Sequence, residues 1–267
     1  MLHHLKRAAR AALVAGLLLQ AGCRESENEG GNAFDPASVA QTGACEERRF
    51  EGSRFTVCAF DGKRDTLRLA WRDKSKQPLP SLSALEAALG IEAAQVRFAM
   101  NAGMYGEDGA PIGLFIESGK TLKPLNLRSG PGNFHLLPNG VFATDEKGQA
   151  GVFTADAFSK QANRFSWATQ SGPMLVIDNK LHPKFDTDGE SRLIRNGVGV
   201  KDPRTAFFVI SEDAVSFGRF ARFFRDALGC PDALFLDGTV SSLWHPAAGR
   251  QDGYAGLGPM LVVLRKE

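Results

Sequence analysis

The chain has 267 residues, 43% of them apolar, and its 32 basic and 30 acidic side chains leave a formal charge of +2. That apolar content supplies one large core, and no Pro/Gly-rich linker interrupts the sequence after residue 50, so a single catalytic-sized domain is expected there. The near balance of charge excludes a general attraction to nucleic acid.

From the N-terminus, Lys6, Arg7 and Arg10 precede an apolar run over residues 11–19. This is the pattern of a signal peptide, residues 1–22, too short to span a bilayer and anchor by itself. The segment ends in Gln20-Ala21-Gly22-Cys23, and small residues before a cysteine resemble the lipobox of bacterial lipoproteins, although Gln20 stands where an aliphatic residue is usual. The resemblance implies lipidation of Cys23 and a membrane-anchored lipoprotein facing the periplasm or the cell exterior. Losing the leader removes three basic residues and no acidic one, which brings the formal charge to −1. Residues 23–44 are polar and poor in core formers, a flexible tether, and 45–267 form the domain. Export permits disulfides. Cys45 and Cys58 would close a short loop and staple the start of the domain, leaving Cys230 a buried thiol; the other two pairings stay open.

Two segments read as helices. Residues 82–89 place Leu82, Leu85 and Leu89 on one face, with Ser83 and Glu86 in capping-box spacing and Gly90 as a stop. Residues 217–228 carry Phe217, Phe220, Phe224 and Leu228 at helical spacing with arginines between them, a stripe that must pack on a sheet. Strand patterns cover 55–60, 66–71, 96–100, 113–117, 140–144, 174–177, 198–201, 206–211, 233–236 and 260–264. Strands dominate without alternating regularly with helices, which predicts an α+β fold with mixed, mainly antiparallel sheets flanked by few helices. Gly-Pro-Met-Leu-Val occurs at 172–176 and again at 258–262, so these two strand starts are candidates to pair in one sheet.

Polar clusters follow several apolar strands, where a rigid scaffold can present side chains into a cleft. They include Asn101-Ala102-Gly103-Met104-Tyr105, Pro111-Ile112-Gly113-Leu114, Gly132-Asn133-Phe134, Pro138-Asn139-Gly140, Ala168-Thr169-Gln170-Ser171-Gly172-Pro173, Ile194-Arg195-Asn196-Gly197-Val198-Gly199 and Leu236-Asp237-Gly238. This ordered set, over roughly residues 50–265, resembles the signatures of the phosphodiester glycosidase domain. The family includes the lysosomal enzyme that removes N-acetylglucosamine from a mannose 6-phosphate diester, and this chain looks most like its bacterial, exported relatives. The resemblance implies a glycosidase-type hydrolase with no cofactor and no metal, acting on a glycosyl-1-phosphodiester in envelope or extracellular glycans. One departure is Asp237-Gly238-Thr239-Val240-Ser241, where many relatives carry Asp-Gly-Gly-Gly-Ser.

The residues support the same chemistry on their own terms. Cleaving a sugar phosphodiester at the anomeric carbon needs an anion clamp, a carboxylate and groups that hold the sugar. Arg195 suits the clamp through its planar, always charged guanidinium. Asp237, delivered by an apolar strand to a turn, suits the base or nucleophile, and Asn101 completes the catalytic candidates. One carboxylate can suffice, because a phosphate monoester with a second pKa of about 6 departs far more readily than an alkoxide. Glu107, Glu190 and Glu212 are the candidates for a second. Gln170, Ser171, Tyr105 and Ser241 are candidate sugar or phosphate contacts, while Gly103, Gly172 and Gly238 let backbone N–H groups approach an anion.

Other chemistries fit poorly. Ser171 lacks the nucleophile-elbow context of a serine hydrolase. Asp186-Thr187-Asp188-Gly189-Glu190 fails the EF-hand test, since Gly197 holds the twelfth position, and reads as a polar loop over the cleft. His135, His182 and His245 are too scattered for zinc spacing. The competing class is a non-catalytic, polysaccharide-binding envelope lipoprotein that uses the same pocket for recognition. A weaker option is hydrolysis at the P–O bond.

Overall fold

The computed structural model describes residues 44–161, 164–253 and 256–266. The leader, Cys23 and the tether up to residue 43 lie outside the described residues. Among the described residues no helix is long and apolar enough to cross a membrane.

The described residues hold seventeen strands in order: β1 (Cys45–Phe50), β2 (Ser53–Asp61), β3 (Asp65–Ala70), β4 (Val96–Asn101), β5 (Phe115–Glu117), β6 (Lys120–Lys123), β7 (Gly140–Thr144), β8 (Ala150–Thr154), β9 (Trp167–Ser171), β10 (Met174–Ile177), β11 (Lys180–Leu181), β12 (Asn196–Asp202), β13 (Thr205–Ser211), β14 (Asp232–Phe235), β15 (Leu243–His245), β16 (Arg250–Gln251) and β17 (Met260–Arg265). Among the described residues three short α-helices join them, α1 (Leu82–Leu89), α2 (Ala155–Ser159) and α3 (Phe217–Arg222). The strands form a seven-stranded sheet, β1-β2-β13-β12-β14-β10-β11, and two five-stranded sheets, β16-β15-β4-β17-β3 and β6-β5-β9-β7-β8. Neighbours run antiparallel throughout, so the α+β reading with mainly antiparallel sheets holds.

The seven-stranded sheet is buried on both faces, which is why its inner strands read as near-continuous apolar runs. In β2 and β13, Phe55, Val57, Phe207 and Val209 point to one face, where they meet Phe220, Phe223 and Phe224 beyond the start of α3. Phe60, Phe208 and Ile210 point to the other, where Phe98, Met100 and Leu261 from the second sheet and Phe115 and Phe142 from the third complete the central core. Gly197 and Gly199 of β12 are small because α3 and its extension press on them: a Cβ at Gly199 would stand 2.5 Å from Phe224 Cδ1 and 2.8 Å from Cys230 Sγ. The outer face of the second sheet is covered by Leu82 and Leu85 of α1, and that of the third by Phe158 of α2 with Phe165.

Three expectations are revised. The cap of α1 is Ser81, whose Oγ accepts from Ala84 N at 3.1 Å, and not the Ser83–Glu86 box. The helix beginning at Phe217 is α-helical only to Arg222 and continues as a π-helical turn over Phe223–Ala227. The two Gly-Pro-Met-Leu-Val strands do not pair, because β10 belongs to the seven-stranded sheet and β17 to the second sheet. Cys45 and Cys58 face each other across β1 and β2 and form a disulfide, while Cys230 is a buried free thiol whose pKa burial pushes far up.

Candidate active site

Strand ends from all three sheets meet at the peptide between Leu236 and Asp237. From the second sheet, Asn101 at the end of β4 donates through Nδ2 to Asp237 O at 2.8 Å. From the seven-stranded sheet, Asn196 at the start of β12 accepts from Asp237 N through Oδ1 at 3.1 Å, and its backbone oxygen accepts from Leu236 N at 3.1 Å. Ser171, at the end of β9 in the third sheet, donates through Oγ to Leu236 O at 2.8 Å. Asn101 and Asn196 brace one another: Asn196 Nδ2 donates to Asn101 Oδ1 at 2.9 Å, and the same oxygen accepts from Ser242 N at 2.9 Å. All of these side chains are fully buried, so each bond is made in a low-dielectric interior where leaving it unmade is costly. The result is a rigid mount for one carboxylate.

The Asp237 carboxyl itself is lightly solvated. Burial pushes its pKa up to about 6, against the opposing pull of Thr239 N, which donates to Oδ1 at 3.3 Å. At neutral pH the group is mostly ionised yet takes a proton readily, the balance wanted in a base or nucleophile. Tyr105, on the loop after β4, lies within its field: burial first and then the Asp237 charge raise the phenol's pKa. The Tyr105 ring rests against Gly258, where any Cβ would collide with it.

Arg195 and Asp237 emerge at the same end of adjacent strands, β12 and β14, which pair Gly197 with Phe235. The guanidinium is not an open fork. It is completely buried, with Nε donating to Val215 O and Nη2 to Ser191 O, both at 2.8 Å. Its carbon lies 3.6 Å from the Phe217 ring centroid, a cation–π contact. Burial lowers its pKa to about 10, so it stays charged at neutral pH, and among the described residues no carboxylate forms an ion pair with it. Nη1 is buried with no hydrogen-bond partner.

Other expected contacts are spent inside the protein. Gln170 accepts through Oε1 from Leu114 N and Asn126 N, both at 2.9 Å, and donates through Nε2 to Asn126 O at 2.7 Å. It fastens Leu114, just before β5, and Asn126, just after β6, to β9 and has little left for a ligand. Ser241 Oγ donates to Gly238 O at 3.2 Å and closes the turn after Asp237. Gly103, Gly172 and Gly238 are sites of close packing: a Cβ would meet Gln170 O, Phe134 O or the Phe235 ring respectively. The polar loop at residues 186–190 docks on the start of α3, where Asp188 accepts from Ser216 Oγ at 3.2 Å and Arg192 Nη2 at 2.7 Å. Glu107 and Glu190 are exposed, whereas Glu212 lines a cleft of about 780 Å³ beside the turn at Gly238 and Thr239. Among the described residues no three His, Cys, Asp or Glu side chains gather as a metal site. Sequence reasoning gave no role to Asn196, Ser242 or Arg250; an asparagine beginning a buried glycine-rich strand was the one available signal.

The profile of the family described as NAGPA, phosphodiester glycosidase, matches residues 94–260. The chain is 37% identical over 205 residues to the uncharacterized protein YigE of Escherichia coli (strain K12), covering 75% of this chain and 79% of YigE. A hypothetical protein from Synechocystis shares the fold with a TM-score of 0.57 and 15% identity, over 83% of this chain and 61% of that one, so this chain spans less than two thirds of that structure's length. The zebrafish N-acetylglucosamine-1-phosphodiester alpha-N-acetylglucosaminidase catalytic domain, auto-inhibited by its pro-peptide, has a TM-score of 0.51 and 14% identity, over 84% of this chain and 82% of that one. A protein from Burkholderia pseudomallei K96243 described as exported gives 0.53 and 14%, over 79% and 74%. The structural likenesses establish the common fold; the profile match and the YigE relationship establish that this chain belongs to the phosphodiester glycosidase family.

Proposed function

We propose that the protein hydrolyses a glycosyl-1-phosphodiester, releasing a sugar from envelope or extracellular glycans. The observation that carries the reading is the Asp237 carboxyl, raised to about 6 by burial and held at the meeting point of three sheets. In the proposed reaction water attacks the anomeric carbon with the Asp237 carboxylate as its base. The bond from that carbon to the phosphate oxygen breaks, its electron pair leaves with the phosphate monoester, and Asp237 takes the proton of the incoming water. No metal is required, because the leaving group is a weak base. Arg195 is not the open phosphate clamp expected of it: its guanidinium is buried on Val215 O and Ser191 O, and its charge, which no carboxylate among the described residues pairs, favours a phosphate from a distance without touching it. Asn101, Asn196 and Ser171 act by positioning the Asp237 backbone, and Tyr105 borders the sugar. The leader implies export, with lipid on Cys23 holding the enzyme at the membrane.

The test is incubation of the soluble domain with a panel of sugar 1-phosphodiesters, scored for free reducing sugar. Wild type is expected to release unphosphorylated sugar from at least one member, and Asp237→Asn to lower that rate at least ~10³-fold while retaining binding. The kcat/KM profile should fall on the acid side of about pH 6, where Asp237 becomes protonated. Release of a sugar that keeps its phosphate would mean P–O cleavage. Binding without release by wild type would leave a recognition module.

A further inference from the structure

The cleft of about 780 Å³ is lined by Gly238, Thr239 and Ser241 of the turn that carries Asp237, but not by Tyr105. Asp237 itself is not in the lining; the cleft adjoins the turn that carries it, where the far side of the phosphate of a substrate bound at that carboxylate would lie. The cleft is within the size range of ligand pockets. One wall is Leu193 and Ile194, which keep 51% and 37% of their surface exposed although both are large and apolar.

The lining also holds a polar, ion-paired group. Arg250 donates through Nη1 to Glu212 Oε1 at 2.5 Å, and through Nε and Nη2 to the two Asp252 oxygens at 3.1 and 3.0 Å. Glu212 also accepts from Thr56 Oγ1 at 2.6 Å, and Asp252 from Leu243 N at 2.9 Å. Every nitrogen of Arg250 is thus engaged by a carboxylate, while Glu212 and Asp252 keep 23% and 28% side-chain exposure. Among the described residues Arg250 is the only cationic side chain in the lining, so two carboxylates and one guanidinium give those residues a net negative charge. An anionic group entering it meets like charge and no free cation. A hydroxyl meets exposed acceptors, and a methylene edge meets Leu193 and Ile194.

Resting on the hydrolase reading above, we propose that this cleft is the subsite for the aglycone, and that it selects one that is uncharged, bears hydroxyl groups and has an apolar edge. The discrimination against an anionic aglycone of equal length is on the order of tenfold.

The experiment compares three diesters of whichever sugar the panel shows to be released: methyl, too short to enter the cleft; 4-hydroxybutyl; and 3-carboxypropyl, of matched length but charged. For wild type, kcat/KM should be highest for hydroxybutyl. Gly253 lines the cleft, and a Cβ there meets nothing within 4 Å, so Gly253→Trp fills the space without a clash at its root. It should erase the advantage of hydroxybutyl over methyl. Ile194→Lys places a cation on the wall and should remove the discrimination against carboxypropyl. Should Gly253→Trp fail to fold, the exposed Leu193→Ser must reduce the hydroxybutyl preference instead. The inference is overturned if wild type cleaves all three diesters alike, or if the filling variant lowers all three equally, which would put the sugar or phosphate in the cleft. If wild type releases no sugar from any diester, the hydrolase reading itself falls and takes the inference with it, an outcome distinct from cleavage without aglycone preference.

Discussion

Asp237 is held where it is thermodynamically expensive to be charged. Its folded pKa of about 6 lies above the ordinary 3.8, so between those values the native state binds the extra proton and stability declines as pH rises through that window. Above about pH 6 the whole penalty is present, on the order of 2 to 3 kcal/mol. Asp237→Asn should therefore unfold at a higher denaturant midpoint than wild type at pH 7, and the advantage should vanish near pH 3.5. An equal midpoint at both pH values would show that the carboxylate is solvated. Asn196 offers the complementary case. Asn196→Ala removes the acceptor of Asp237 N and both donations to Asn101, leaving buried polar groups unpaired, at about 2 to 4 kcal/mol by denaturant titration. At residue scale the placement of Asp237 in a turn at the end of a buried strand was legible, because the apolar run Leu234-Phe235-Leu236 leads directly into Asp237-Gly238. The engagement of Arg195, Asn101 and Gln170 was not, since their partners are main-chain groups of Val215, Asp237 and Asn126, remote in sequence.

Among the elements, inner strands announced themselves and edge strands did not. β7 and β10 match their sequence patterns residue for residue, being apolar and central to their sheets or nearly so. β1 (CEERRF) and β6 (KTLK) carry charge where a core strand carries Val or Ile, as edge strands do to discourage pairing with other chains. The start of α1 shows how fine the boundary is. Ser81 and Ser83 both look like caps, and the choice falls to Ser81 because its extended backbone aims Oγ at Ala84 N. Ser81→Ala should cost about 1 kcal/mol and Ser83→Ala a few tenths at most, measured by chemical denaturation. Equal costs would mean that the helix starts later than Leu82. The π-helical turn after α3 leaves no trace in a 3.6-residue pattern, because it keeps Phe223 and Phe224 both facing the sheet.

For the whole molecule, the disulfide ties edge strand β1 to β2 across a separation of 13 residues. Closing so short a loop restricts the unfolded chain modestly, so the Cys45→Ser/Cys58→Ser pair should lose about 2 to 3 kcal/mol under oxidising conditions. Reductant should lower wild type to the same level and leave the double variant unmoved. A loss that persists in the double variant but is absent from reduced wild type would point to packing rather than cross-linking. The general architecture was readable from strand density and the shortage of helices, whereas the assignment of strands to three sheets was not. The repeated Gly-Pro-Met-Leu-Val motif shows why: identical local sequence enters two different sheets, and only the central core decides which.

Under the proposed role of Asp237, mounting its peptide on three sheets at once makes turnover a gauge of the entire interior. A void opened far away, for instance by Phe142→Ala in the third sheet, need not unfold the chain to be felt, since a displacement of any one sheet drags an anchor of the carboxylate with it. Turnover would then decline while circular dichroism and binding stayed intact, and suppressors of such damage would arise in the neighbouring sheets rather than around the chemistry.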